Sequence, residues 1–165
     1  MNIEKNTKTI GGSNMEIFEN ESFQASNLIS YRGTHSPQEM HVMMSKMGNY
    51  VEQHGAKQTG MMITALYSSD KETRISDTQI LVSLDKVIPS SAEFVFLSEL
   101  TLTECLAIKH KGDPRVTVSA FAALEERASS MNCQLVKPIY NVIRADAVPS
   151  SNGVEIEMYV KTETK

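Results

Sequence analysis

Hydrophobic positions along this chain switch from a period of two to a period of about 3.6 and back, twice and in the same order. From Ser22 to Gly33, Phe23, Ala25, Ile29 and Tyr31 are set against Ser22, Gln24, Ser26 and Arg32, the pattern of a half-buried strand. Gly33 is expected to stop that strand in a tight turn, using the positive φ open to a residue without Cβ. From Ser36 to His54, Met40, Met43, Met44, Met47 and Val51 recur at helical spacing with Tyr50 beside them. Ser36 can cap this helix, Pro37 suits its first position and Glu39 completes a capping box. Gly55 is placed to end it. Gly60–Ser68 and Arg74–Leu84 follow as strands, with the polar turn Ser68–Thr73 between them.

The order returns after a linker at Val87–Ala92, which contains Pro89-Ser90-Ser91. Phe94–Gly112 reads as a long strand with a break or bulge near Glu99. Asp113–Asn132 reads as a helix opened by Asp113-Pro114, striped by Ala120, Leu124, Ala128 and Met131 with Phe121 alongside. Val136–Asp146 and Gly153–Thr162 complete the second set, joined by the turn Pro149–Gly153. The spacings Gly33–Gly112 and Pro37–Pro114 are nearly equal. These observations predict an α+β fold of duplicated β-α-β-β modules, residues 22–86 and 93–163, within one domain over 21–165. Residues 1–20 are expected to form a polar, flexible leader broken at Gly11-Gly12, with Met15 as an alternative start.

Composition narrows the function classes. The 165 residues suit one domain or two intimate halves with a full core. A formal net charge of −4 argues against nucleic-acid binding, which needs clustered Lys and Arg. No stretch approaches the length of a membrane span, and no signal-peptide core is present, so a cytoplasmic protein is expected. Cys105 and Cys133 lack the spacing of a disulfide framework or zinc site and read as free thiols in a reducing compartment. His35, His41, His54 and His110 share no ligand spacing. Their bland reading is exposed turn or surface residues, although His35 and His110 each precede a helix start, where an anion can bind. No nucleophile elbow or phosphate loop is present, so no catalytic residue, metal or cofactor is assigned.

Six residues are candidates to line a groove between the two halves. Tyr67, Tyr140 and Asn141 lie on middle strands and can offer ring faces and hydrogen bonds to a ligand, or can be core residues. Glu155, Glu157 and Tyr159 alternate on the last strand and can form an acid/base pair or a cation site. Polar alternation is also the ordinary state of a solvated strand face. The methionine cluster at Met40, Met43, Met44, Met47, Met61 and Met62 reads as core, with an adaptable binding surface as the other option.

The runs LAIKHKGDP (Leu106–Pro114), KPIY (Lys137–Tyr140) and SYRGTHSPQEM (Ser30–Met40) resemble the two halves of the GyrI-like family, the bacterial effector-binding domain. The likeness spans roughly Ser22 to Lys161. It implies a curved antiparallel sheet with two helices on one face and a small-molecule cleft on the other. It also implies links to transcription regulation in fused relatives. Many members carry a Pro-x-x-Glu-x-Tyr pattern. Here Pro138-Ile139-Tyr140-Asn141-Val142-Ile143 puts Asn141 in place of the glutamate and Ile143 in place of the tyrosine. An amide neither attracts cations nor transfers protons at pH 7, which argues against cationic-drug binding and hydrolysis.

The opening stretch MEIFENESFQASNLISYR (Met15–Arg32) resembles small uncharacterised proteins encoded among type VII secretion genes of Firmicutes. The leading functional expectation is a non-enzymatic module that binds a small apolar or amphipathic ligand. The alternative is a protein-interaction adaptor or chaperone associated with type VII secretion, with a protein partner. Neither nucleic acid nor membrane is an expected partner, and the oligomeric state is left open.

Overall fold

The computed structural model describes residues 6–10, 13–112, 117–144 and 154–165. Gly11-Gly12, the Asp113-Pro114 helix start and the turn Pro149–Gly153 lie outside the described residues. The elements are β1 (Asn6–Ile10), β2 (Ser13–His35), α1 (Pro37–Gln53), β3 (Gln58–Ser69) and β4 (Ser76–Leu84), then β5 (Val95–Gly112), α2 (Thr117–Ser130), β6 (Cys133–Arg144) and β7 (Val154–Thr164). Strand, helix, strand, strand thus occurs twice, and the fold is α+β.

All strand pairings are antiparallel, in the order β1-β2-β4-β3-β6-β7-β5. A further pairing of β2 with β5 joins the two sides, so six strands close on themselves and β1 rides outside on β2. Each half pairs its first strand with its last, and its last with its middle strand. The halves meet first strand to first strand and middle to middle. Closure leaves no open edge among these six strands, which satisfies backbone groups that would otherwise need water.

Helix α1 begins as its residues dictate. Ser36 Oγ accepts from the Glu39 amide at 3.3 Å, and the Ser36 amide donates to Glu39 Oε2 at 2.8 Å. The helix buries Met43, Met47 and Val51 against Ile29, Ile80 and Val82 on the outer side of the sheet. Gly55, at φ +67, then turns the chain away. Helix α2 packs on the same outer side through Ala120, Ala123, Leu124 and Ala128, against Leu106, Ile108, Met158 and Val160. Three of its four alanines, Ala120, Ala123 and Ala128, face the sheet. Met131, expected in that stripe, falls beyond the helix end and is 38% exposed. The inner face of the closed sheet gathers Phe23, Leu28, Ile63, Leu81, Val142 and Tyr159.

Two sequence expectations change. Gly33 is not a turn residue: it lies within β2, paired with Thr78. A Cβ there would come within 2.6 Å of His35 Nε2 and closer still to the Tyr31 hydroxyl. Its bare backbone makes room for the Tyr31–His35 hydrogen bond that passes over it. The leader expected over residues 1–20 also contains structure. Strand β2 starts at Ser13, Met15–Phe18 pair with β5, and Ile17 is in the core. The alternation was hidden because β2 shifts register between Phe18 and Glu21 and again before Phe23, with Asn20 at φ 54. Each extra residue flips the side chains that follow to the other face.

Among the described residues no helix is long and apolar enough to cross a membrane. Cys105 is buried and Cys133 half-buried, both as free thiols.

Leu28 is fully buried and pairs at once with Ser83 of β4 and Leu97 of β5. Leu28→Ala is expected to cost about 2–5 kcal/mol in a urea unfolding titration, the range for a leucine deleted from a packed core. Val42→Ala, on the exposed side of α1, is expected to stay within about 0.5 kcal/mol of wild type.

Candidate functional site

The inner face is mostly filled, and it opens where two pairings give way. Strand β2 leaves β4 beyond the Leu28–Ser83 pair. Strand β3 shifts register against β4 between Gln58 and Met62, with Gly60 at φ 96. The gap is a groove of about 540 Å³ lined by Gln24, Ala25, Ser26, Thr59, Met61, Ser83 and Arg144. Six of these come from the first half and Arg144 from the second, so the groove sits at their junction. Ser83 holds the irregular stretch together. Its Oγ lies 2.6 Å from Thr59 Oγ1 and accepts from the Met61 amide at 3.3 Å.

Arg144 links the groove to a buried polar network. Its Nη2 donates to Glu157 Oε2 at 3.5 Å, and the Tyr159 hydroxyl donates to the same oxygen at 2.9 Å. Glu157 is 6% exposed and Tyr159 3% exposed, so this strand face is not the solvated one that polar alternation suggested. The reason is closure: β7 lies between β5 and β6, which shields its inward side chains from bulk water. Burial first, and the Glu157 carboxylate second, push the Tyr159 phenol well above the usual tyrosine range. The phenol therefore serves as a donor, not a base. The Tyr159 ring also packs on Phe23, with centroids 5.1 Å apart.

The other candidates divide. Tyr140 pairs with Tyr159 across β6 and β7 and packs on the inner cluster, and burial raises its phenol. Tyr67 carries the Arg32 guanidinium 3.5 Å above its ring and donates to Gln79 Oε1 at 3.4 Å. Arg32 is itself paired with Asp77 at 3.0 Å. That ring face is therefore already covered.

Asn141 follows Tyr140 in a pleated strand and takes the opposite face, with Ile139 of the helix-side cluster. Its Oδ1 is buried without a hydrogen-bond partner. Asn141 and Tyr140 thus share no surface. The Glu155 side chain lies outside the described residues, although its backbone pairs with Lys111. Arg144 escaped the sequence reading. The signal was there: Tyr140, Val142 and Arg144 alternate on one face of β6.

Two further hollows lie on the helix side. One, of about 400 Å³, runs between α2 and β6 past Phe121, Glu125, Gln134 and Lys137. The other, of about 210 Å³, is walled by Met44, Met47, Met61 and Met62. Neither touches a buried charged network. The helix N-terminus after His35 is filled by Glu39 and Ser36, which leaves no place there for an anion. Among the described residues no cluster of three His, Cys, Asp or Glu is placed to hold a metal ion.

No protein-family model and no curated protein matches the chain. Solved structures do. EcmrR, in a DNA complex described as EcmrR-RPo, superposes with a TM-score of 0.68 at 12% identity over 92% of this chain and 58% of that one. This chain therefore spans little more than half of the EcmrR chain. The isolated EcmrR C-terminal domain gives 0.63 at 12% identity, covering 89% of this chain and 98% of that one. An uncharacterized conserved protein from Listeria innocua gives 0.59 at 9% identity, covering 88% and 93%. The shared property is the fold, that of the EcmrR C-terminal domain.

The raised Tyr159 phenol has a pH signature. A group whose folded pKa exceeds its unfolded value of about 10 gives stability that is full below that pH and is lost as pH rises through the folded pKa. Unfolding free energy is expected to fall above about pH 10, and less steeply in Tyr159→Phe. Phenolate absorbance of the folded wild type minus that of Tyr159→Phe should stay flat through about pH 10. A full step at that pH would contradict the burial of the phenol.

Proposed function

We propose that this chain is a non-enzymatic small-molecule-binding module whose ligand occupies the groove between its halves. One observation carries the reading: a groove of about 540 Å³ opens at the junction of the halves onto the buried Arg144–Glu157–Tyr159 network. That volume is within the usual range for small-ligand sites. A buried charge costs desolvation, and ionisable groups with a shifted pKa beside a cleft mark a candidate functional site. The fold likeness supports the reading, since the EcmrR C-terminal domain belongs to a protein seen in complex with DNA. The resemblance to GyrI-like effector-binding domains points the same way. By this reading the ligand state is passed to a protein partner that acts on transcription.

Recognition fits the network better than catalysis. Glu157 already accepts from two donors, and Tyr159 is held as a neutral phenol. Of the methionines behind the adaptor alternative, Met43 and Met47 are turned into the core under α1, while Met40, Met44, Met61 and Met62 are partly buried, and the fold likeness lends that alternative no support.

A thermal-shift screen with small amphipathic compounds tests the proposal. Compounds that stabilise wild type are expected to lose at least tenfold in affinity against Ser26→Trp, about 1.4 kcal/mol. Ser26 is exposed at the groove mouth, so a tryptophan there blocks the opening and leaves the core intact. Hits that bind Ser26→Trp unchanged would place the ligand elsewhere.

A further inference from the structure

The charge that faces the groove is positive, and this names the ligand class. Among the described residues Arg144 is the sole charged side chain in the lining; Gln24, Ser26, Thr59 and Ser83 are neutral hydrogen-bonding residues. The nearest carboxylate in the network is Glu157, whose side chain is 8% exposed, against 34% for Arg144. Anything entering the groove meets the guanidinium first. Among the described residues Arg144 makes a single ion-pair contact, to Glu157, and at 3.5 Å it is much longer than the roughly 2.7–2.9 Å of a strong charge-assisted bond. A guanidinium carries five N–H donors, so one such contact leaves most of them for a ligand. Glu157 is by contrast occupied by Tyr159 at 2.9 Å. A cation would have to displace Arg144 and then reach a buried oxygen.

The apolar part of the ligand is also marked. Met61 lines both the groove and the methionine-walled hollow behind it, on the two sides of the β3 irregularity. An unbranched thioether adapts its shape cheaply to an alkyl chain. We infer that the groove binds an amphipathic organic anion, with the anionic head on Arg144 and the apolar tail against Met61. This rests on the reading of the groove as the ligand site. It runs opposite to a lipophilic-cation site.

Calorimetric titration of the full chain with octanoate, octylammonium and octanol separates the cases. Octanoate is expected to bind at least tenfold more tightly than the other two. Arg144→Gln should weaken octanoate at least tenfold, and Arg144→Lys should retain part of the binding. Arg144→Gln alone leaves Glu157 unpaired, so the double variant Arg144→Gln/Glu157→Gln is measured beside it. That variant removes both charges and should bind octanoate and octanol equally. Tighter binding of octylammonium, lost in Glu157→Gln, would overturn the anion assignment and leave the groove as the binding site. Equal binding of all three by wild type would do the same. Failure of every probe to bind, together with an empty thermal-shift screen, would remove the binding-module reading itself.

Discussion

The pairing of β2 with β5 is the constraint from which the rest follows. These are the two longest strands, 23 and 18 residues, and they run together from Met15–His110 to Ser30–Val95. Without this contact the sheet is an open ribbon with a solvated concave face. With it, six strands enclose an inner face, both helices are confined to the outside, and polar residues pointing inward lose water. A single long strand must then serve an outer cluster, the inner cluster and a second outer cluster in turn. Strict alternation does not allow that. The register shifts around Glu21, and the positive φ of Asn20, Asn27 and Glu104, reset the alternation: Ile17 points outward, Phe23 inward and Ile29 outward again.

The same economy of pairing places the groove. Both middle strands slip against the last strand of their own half, β3 between Gln58 and Met62 and β6 between Val136 and Tyr140. Only the first slip coincides with the point where β2 turns from β4 towards β5, and there the inner face opens. The second lies near the hollow beside α2. Two similar halves therefore yield one junctional groove. Its asymmetry comes from which strand leaves which neighbour.

Charge placement follows burial. In the pattern of the family that the sequence resembles, a glutamate sits on the middle strand of the second half. Here that position is Asn141, on the helix side, and among the described residues the inward carboxylate is Glu157 on the adjacent strand, paired in register with Val142. A carboxylate buried to this degree needs partners, since an unpaired buried charge costs several kcal/mol. Tyr159 supplies one from two residues along the same strand, and Arg144 supplies the other from β6. The arrangement presents the arginine outward and keeps the carboxylate in reserve behind it.

The order of elements, the capping box at Ser36–Glu39, the methionine stripe of α1 and the free thiols were all legible in the sequence, because each depends on residues within a turn or two of one another. The face shared by Glu157 and Tyr159 was legible as alternation, and Arg144 was legible in the same way with Tyr140. What alternation leaves open is whether a face meets water or another strand. That is set by which distant strands pair. Gly33 shows the limit: a glycine reads as a turn locally, and only the contact between Tyr31 and His35 above it gives the reason for its small size. The hidden start of β2 shows it again, since a one-residue slip erases periodicity without ending a strand. Local spacing determined what each segment is; long-range pairing between β2 and β5 decided which side chains are inside, and so where a ligand can meet them.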